Sequence, residues 1–212
     1  MICANSASLI YHDQERDVIA CNCISLHILK GEFVGILGPS GSGKSSLLYL
    51  LSGLKNPTNG TIKYNGNEFD SLADDERSNL RLKEFGFVFQ QPFLIGYLSA
   101  LENVSLCYGG LEQSHAEEML VRVGLEDKIH RMPSELSGGE KQRVCVARAL
   151  VSNPKVVFAD EPTASLDHAG GEHVVHLLRE LSEGSLVMVT HDPTMLTLAD
   201  RTLRMEEGGL FE

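Results

Sequence analysis

Between a short apolar run, Phe33–Leu37, and a helical pattern from Ser45 to Gly53 stands Gly38-Pro39-Ser40-Gly41-Ser42-Gly43-Lys44-Ser45. A segment of the form G-x-x-x-x-G-K-[ST] in that setting predicts strand, loop and helix in succession. The glycines let backbone N–H groups wrap an anion without Cβ atoms in the way, and the helix start behind them adds partial positive charge. Lys44 can reach the β- and γ-phosphates of a nucleoside triphosphate, and the Ser45 hydroxyl can hold Mg2+. Ser46 extends the same helix start.

Two further apolar runs, Val156–Ala159 and Leu186–Val189, lack polar alternation and are short, so with Phe33–Leu37 they read as buried parallel strands. Each runs straight into polar residues, Asp160-Glu161 in one case and Thr190-His191 in the other. Open α/β sheets bind ligands outside the carboxyl ends of their strands, so three distant runs deliver their special residues to one edge. At such a strand end Asp160 is placed to reach Mg2+ through water, and Glu161 has the length to act as general base toward an attacking water. Without the preceding strand the pair would read as a surface turn.

Ser137-Gly138-Gly139 opens a helix expected over Glu140–Val151, with Ser137 as its N-cap. An ordinary capped helix would begin the same way. One nucleotide needs only one phosphate loop, however, so a second exposed anion-seeking helix end suggests service to a nucleotide held by a partner copy.

The N-terminal third differs. Short alternating stretches (Ser8–Tyr11, Ile24–Leu29, Thr61–Tyr64) and turn signals at Asn59-Gly60 and Asn65-Gly66 predict an antiparallel sheet laid against the parallel core. From about Pro92 to Glu135 the pattern is helical, with no strand candidate, which predicts an inserted helical subdomain. At 212 residues the chain has room for one sizeable core and a subdomain. The balance of 18 basic and 29 acidic residues, a net −11, disfavours a nucleic-acid partner. No segment approaches the roughly 20 apolar residues of a membrane span, and the N-terminus shows no signal-peptide pattern. A membrane role would therefore be borrowed from a partner. Cys3, Cys21, Cys23, Cys107 and Cys145 lack a repeating spacing; Cys21-x-Cys23 hints at a metal, but no second Cys/His pair has zinc-like spacing, and unbridged buried thiols are the expectation.

Taken together, GPSGSGKS (Gly38–Ser45), LSGGEKQR (Leu136–Arg143), VVFADEPTASLD (Val156–Asp167) and VMVTHD (Val187–Asp192) resemble the ATP-binding cassette (ABC) ATPase family over almost the whole chain. The resemblance implies an α/β fold of the P-loop NTPase class, with a parallel core sheet, an N-terminal antiparallel β-subdomain and an inserted helical subdomain. Residues 1–90 and 136–212 would form the core with its β-subdomain, and residues 91–135 the helical part. It further implies a head-to-tail homodimer with two ATPs at the interface. Each would lie between one copy's phosphate loop (Gly38, Pro39, Ser40, Gly41, Ser42, Gly43, Lys44, Ser45, Ser46) and the other's signature residues Ser137, Gly138 and Gly139, which would contact the γ-phosphate.

Carried over residue by residue, Gln90 in FVFQQ resembles the lever glutamine that touches Mg2+ and the attacking water. Gln91 stands beside it, and Gln90 is taken because it follows Phe87-Val88-Phe89. Ser165-Leu166-Asp167 resembles the loop linking the two sites, and His191 the switch histidine at the γ-phosphate. Tyr11 matches the aromatic that stacks on adenine, although an aromatic on a strand face is also ordinary packing. No catalytic position is degenerate, so an active ATPase is expected.

The stretch LADDERSNLRLKEFGFVFQQPFLIGYLSALENV, with Arg77 and Arg81 in an acidic-then-arginine helix, is similar to the group of lipoprotein-release, macrolide-efflux and cell-division ATPases. CNCISLHI near the N-terminus departs from that group's usual pattern. The apolar Phe93–Leu98 segment would receive a cytoplasmic helix of an integral membrane permease, unless it caps the subdomain's own core. The resemblance thus implies a cytoplasmic chain, peripheral at the inner face of the membrane. A mechanotransmitting ATPase of cell-division type is the alternative. A soluble repair or translation ATPase fits less well, lacking the coiled-coil insertion or second cassette.

Overall fold

The computed structural model describes residues 1–12, 16–106 and 113–212. In chain order the elements are β1 (Ile2–His12), β2 (Asp17–Ile28), β3 (Phe33–Leu37), α1 (Lys44–Leu51), β4 (Asn59–Tyr64), β5 (Asn67–Glu68) and α2 (Asp74–Glu84). There follow β6 (Phe85–Phe89), α3 (Ala100–Ser105), α4 (Gln113–Arg122), α5 (Gly138–Leu150), β7 (Val156–Asp160), α6 (His168–Leu181), β8 (Ser185–Thr190), β9 (Arg201–Glu206) and β10 (Gly209–Phe211). Two compact units emerge: Met1–Arg81 with Val187–Glu212, and Leu82–Leu186.

In the first unit, β2, β1, β4 and β5 form an antiparallel sheet in that order. β1 pairs with β2 from Ile2↔Ile28 to His12↔Asp17, through register shifts around Ala7. One shift is visible in the backbone: Ser6 and Cys23 adopt φ 45° and 51°, and the Ser8 hydroxyl accepts the Cys23 N–H at 2.9 Å. Asn65-Gly66 makes the expected turn, both residues at positive φ. Asn59-Gly60 does not. It opens β4, because Gly60 lies so close to β1 that a Cβ there would meet the Ser6 carbonyl oxygen at 2.2 Å.

The same unit holds the strand order β10-β9-β3-β8, with β3 and β9 parallel and β9 and β10 antiparallel. Neither β9 nor β10 is anticipated by the sequence patterns. On α1, Leu47, Leu48, Leu50 and Leu51 are fully buried, and truncating any one to Ala costs about 2–5 kcal/mol. Gly53, at φ 65°, stops the helix as expected. Its carbonyl accepts from Arg81 at 2.9 Å, while Arg77 donates to Asp74 and Asn56. The acidic-then-arginine helix α2 thus ties down the end of the helix that follows the phosphate loop.

In the second unit, β6 and β7 pair in parallel, Phe85↔Val156 to Phe89↔Asp160. Every residue of β7 is buried, as a strand covered on both faces requires. Phe158 meets Phe85 edge-on at 5.2 Å between ring centroids. Gly86 lets α5 close on β6, since a Cβ there would sit 2.3 Å from the Ala149 carbonyl oxygen. The expected helical stretch resolves, among the described residues, into α3, α4 and a 3-10 turn at Pro133–Glu135. α3 starts on a reciprocal capping box between Ser99 and Glu102.

Candidate functional site

In the first unit the phosphate loop takes shape from the backbone outward. Gly41 and Gly43 hold φ 80° and 103°. Gly43 passes so close to β2 that a Cβ would lie 2.0 Å from the Ala20 carbonyl oxygen, and at Gly38 one would lie 2.3 Å from that of Met205. Only glycine fits at either position. Lys44 is buried, its ammonium donating to the Gly38 and Pro39 carbonyls at 2.8 and 2.9 Å. The lysine is therefore already drawn over the loop where a triphosphate's β- and γ-oxygens would lie. The Ser42 hydroxyl is buried without a hydrogen-bond partner. A buried hydroxyl with no protein partner inside an anion-binding loop suits a phosphate oxygen as its acceptor.

Two predicted residues are brought to this loop. The Gly38 N–H donates to the carbonyl of Thr190, the last residue of β8, at 3.2 Å, which sets the exposed His191 one residue past the loop's origin. Tyr11 sits 3.4 Å, Oη to Oγ, from Ser46 on the first turn of α1, and its ring is part-exposed beside Val18, its partner in β2. An exposed aromatic next to the loop fits the flat face of a base.

A cavity of about 530 Å3, lined by Pro39, Ser40, Gly41, Ser42, Glu206, Glu207 and Phe211, opens beside the loop. Its C-terminal wall was missed by sequence reading. The available signal was Glu207-Gly208, which turns β9 into β10 with both residues at positive φ, and whose Gly208 N–H donates to the Ser42 carbonyl at 3.0 Å. The Cys21 thiol points at the Gly43 carbonyl, 4.0 Å away, and burial pushes it up to about 12. Cys23 lies instead against Ser8. The described cysteines form no disulfide, and Cys107 lies outside the described residues.

The second unit gathers the remaining candidates. Phe89 pairs with Asp160 across β6 and β7, so Gln90 and the Asp160-Glu161 pair emerge side by side from adjacent strand ends. Asp160 is buried and Gln90 exposed. Glu161 holds φ 48°, a left-handed conformation costing a non-glycine residue of the order of 1 kcal/mol or more, as functional turns often do. Asp167 caps α6 by accepting the Gly170 N–H at 2.9 Å.

Ser137 caps α5 as expected: its hydroxyl accepts the Glu140 N–H at 3.3 Å, and the Glu140 carboxylate accepts the Ser137 N–H at 2.7 Å. Donation to the Glu140 carboxylate by the Ser137 N–H first, and by the Ser137 side chain second, holds that carboxyl below its usual range. Neither of the two glycines that follow is demanded by crowding inside the unit. A Cβ on Gly138 would find open space, and one on Gly139 would approach only Arg143 and Leu166, at 3.9 and 4.0 Å. Of the apolar loop, Phe93 and Tyr97 are exposed while Leu94, Ile95 and Leu98 are half-buried.

The sequence profile described as ABC transporter matches residues 21–164. The chain is 42% identical over 211 residues to the lipoprotein-releasing system ATP-binding protein LolD of Wigglesworthia glossinidia brevipalpis, covering 95% of this chain and 92% of that one. It is 43% identical over 210 residues to the macrolide export ATP-binding/permease protein MacB of Mannheimia succiniciproducens, covering 95% of this chain but only 33% of that larger protein. Among solved structures, the post-hydrolysis dimer of the ATP-binding cassette MJ0796 bound to ADP and Pi superposes with TM-score 0.89 at 37% identity, covering 98% of this chain and 95% of that one. The chain belongs to the ABC transporter family and is an ATPase. No described helix is long and apolar enough to cross a membrane.

Proposed function

We propose that two copies of this chain close head to tail on two ATP molecules and drive a separate membrane permease of export or extraction type. The observation that carries the reading is the pair Gly138-Gly139, glycines with no steric reason inside their own unit. Glycine costs a helix up to about 1 kcal/mol per residue against alanine, so two in succession call for another reason. Close approach by something external, here the triphosphate on the partner copy's phosphate loop, accounts for it.

In this reading Lys44 and the N–H groups of Gly41 and Gly43–Ser46 hold the β- and γ-phosphates, and Tyr11 stacks on adenine. Glu161 accepts a proton from the attacking water, while Gln90 and His191 orient that water and the γ-phosphate. Asp167 sits beside the partner's site. Mg2+ suits the hard oxygen donors of Ser45, Asp160 and Gln90, and when bound it offsets charge developing on the phosphate oxygens.

Closure follows from differential affinity: two triphosphates held by both copies favour the closed dimer over separated chains. We take residues 91–135 as the helical subdomain and the exposed Phe93 and Tyr97 as the permease-facing surface. Because LolD and MacB serve lipoprotein release and macrolide export by name, an export or extraction permease is the partner chemistry favoured. The chain would then lie in the cytoplasm at the inner membrane face. Glu161→Gln should slow turnover by about 100-fold or more and trap an ATP-loaded dimer on size exclusion. A variant that stays monomeric at saturating ATP sinks the reading.

A further inference from the structure

On one face of α5, Gln142, Cys145 and Arg148 recur three residues apart, and all three side chains donate to one short stretch of backbone. Gln142 Nε2 donates to the Phe89 carbonyl at 3.0 Å, and Cys145 Sγ to that of Pro92 at 2.7 Å. Arg148 forks, Nη1 to the Phe93 carbonyl at 3.0 Å and Nη2 to that of Pro92 at 3.1 Å. These carbonyls bracket Gln90 and Gln91, which are exposed and belong to neither strand nor helix. The segment is thus pinned on both sides of the glutamine pair.

Two features separate this arrangement from ordinary packing. Gln142 is fully buried, yet its Oε1 has no hydrogen-bond partner, so half of its amide works against stability. The other half is spent on the carbonyl immediately before Gln90. Phe93 holds φ 37°, a backbone state that a residue with a side chain adopts only when its surroundings impose it. Its carbonyl is the one Arg148 Nη1 grips, and a planar fork fixes the direction of two acceptors where a single ammonium would not.

We propose that Gln142, Cys145 and Arg148 are positioning residues that clamp Phe89–Phe93 to α5, presenting Gln90 for turnover in fixed register with Ser137–Gly139 at the start of the same helix. The inference rests on the catalytic role proposed for Gln90. Its test is ATPase kinetics of the full chain carrying Gln142→Leu, Cys145→Ala, Arg148→Ala or Arg148→Lys, each alone and combined with Gln90→Ala, with thermal unfolding confirming that each variant folds.

Gln142→Leu and Arg148→Ala are expected to lower kcat about 10-fold while leaving KM for ATP within about twofold. Arg148→Lys should recover part of the loss, and Cys145→Ala, the mildest change in packing, should lose less. Combined with Gln90→Ala, none should cost anything further, because the group they position is already gone. Additive losses, or unchanged kcat in the folded single variants, overturn the clamp alone. Unchanged kcat in Gln90→Ala overturns the role of Gln90 and the clamp with it.

Discussion

Two helix starts in this molecule are rich in glycine, and they are glycine-rich for opposite reasons. At the phosphate loop, Gly38 and Gly43 are dictated from within: the carbonyls of Met205 and Ala20 occupy the space a Cβ would need, and Gly43 adds φ 103°. At α5, Gly138 and Gly139 face open space and ordinary contacts. The first set builds a rigid cradle out of the fold's own backbone. The second leaves a surface bare, as the proposed closure on a partner copy's triphosphate would need. A motif's glycines therefore do not by themselves say which of the two is meant; the environment of the absent Cβ does.

The sharpest break of this comparison is Gly43→Ala. With strained φ and a backbone clash, it should cost of the order of 3 kcal/mol or more of stability, measured by urea unfolding, and abolish nucleotide binding. Gly139→Ala should do the reverse, holding or raising the thermal midpoint because alanine is the better helix former by up to about 1 kcal/mol. ATP-dependent dimerisation in the Glu161→Gln background should nonetheless weaken about 10-fold or more, since a methyl displacing a close contact costs at least about 1.4 kcal/mol. A fall in stability at Gly139→Ala would erase the distinction between the two starts.

Thiol chemistry probes the cradle's rigidity. Cys21 lies beneath Gly43 with its thiol pushed up to about 12, so at about pH 8 it should alkylate at least about 100-fold more slowly than exposed Cys23, and only as the protein unfolds. Rapid labelling of Cys21 in the folded protein would mean that the loop opens locally.

The smallest effect is expected at the bare start. The Glu140 carboxyl is held below 4.5 in the folded state by the Ser137 N–H first and the Ser137 side chain second. A depressed carboxylate stabilises above its unfolded value and loses that contribution as pH falls through its folded one. The thermal-midpoint difference between the native chain and Glu140→Ala should therefore be present at neutral pH and shrink as acidification protonates the carboxylate in the folded protein. A difference that persists in acid would assign the effect to helix propensity instead.

Much of this was legible in the residues. The three apolar runs became β3, β7 and β8 within a residue at each end, because strands buried on both faces must be apolar throughout. Ser137 and Gly53 marked helix ends because capping chemistry is local. The misses were non-local. β9 alternates polar and apolar too weakly to stand out, and becomes a strand through pairing with β3. Asn59-Gly60 looked like a turn, and joined a strand because β1 passes within touching distance of its Cα.

By itself, then, the order of residues determined that a phosphate loop would form, which acidic pair would end a buried strand, and which family the chain belongs to. All of these follow from short-range backbone preference and spacing. Tertiary structure alone decided that Gly43 is forced and Gly139 is not, that Ser42 keeps an unspent hydroxyl, and that Gln142, Cys145 and Arg148 converge on one strip of carbonyls. Those facts are distances between atoms far apart along the chain, and only packing sets them.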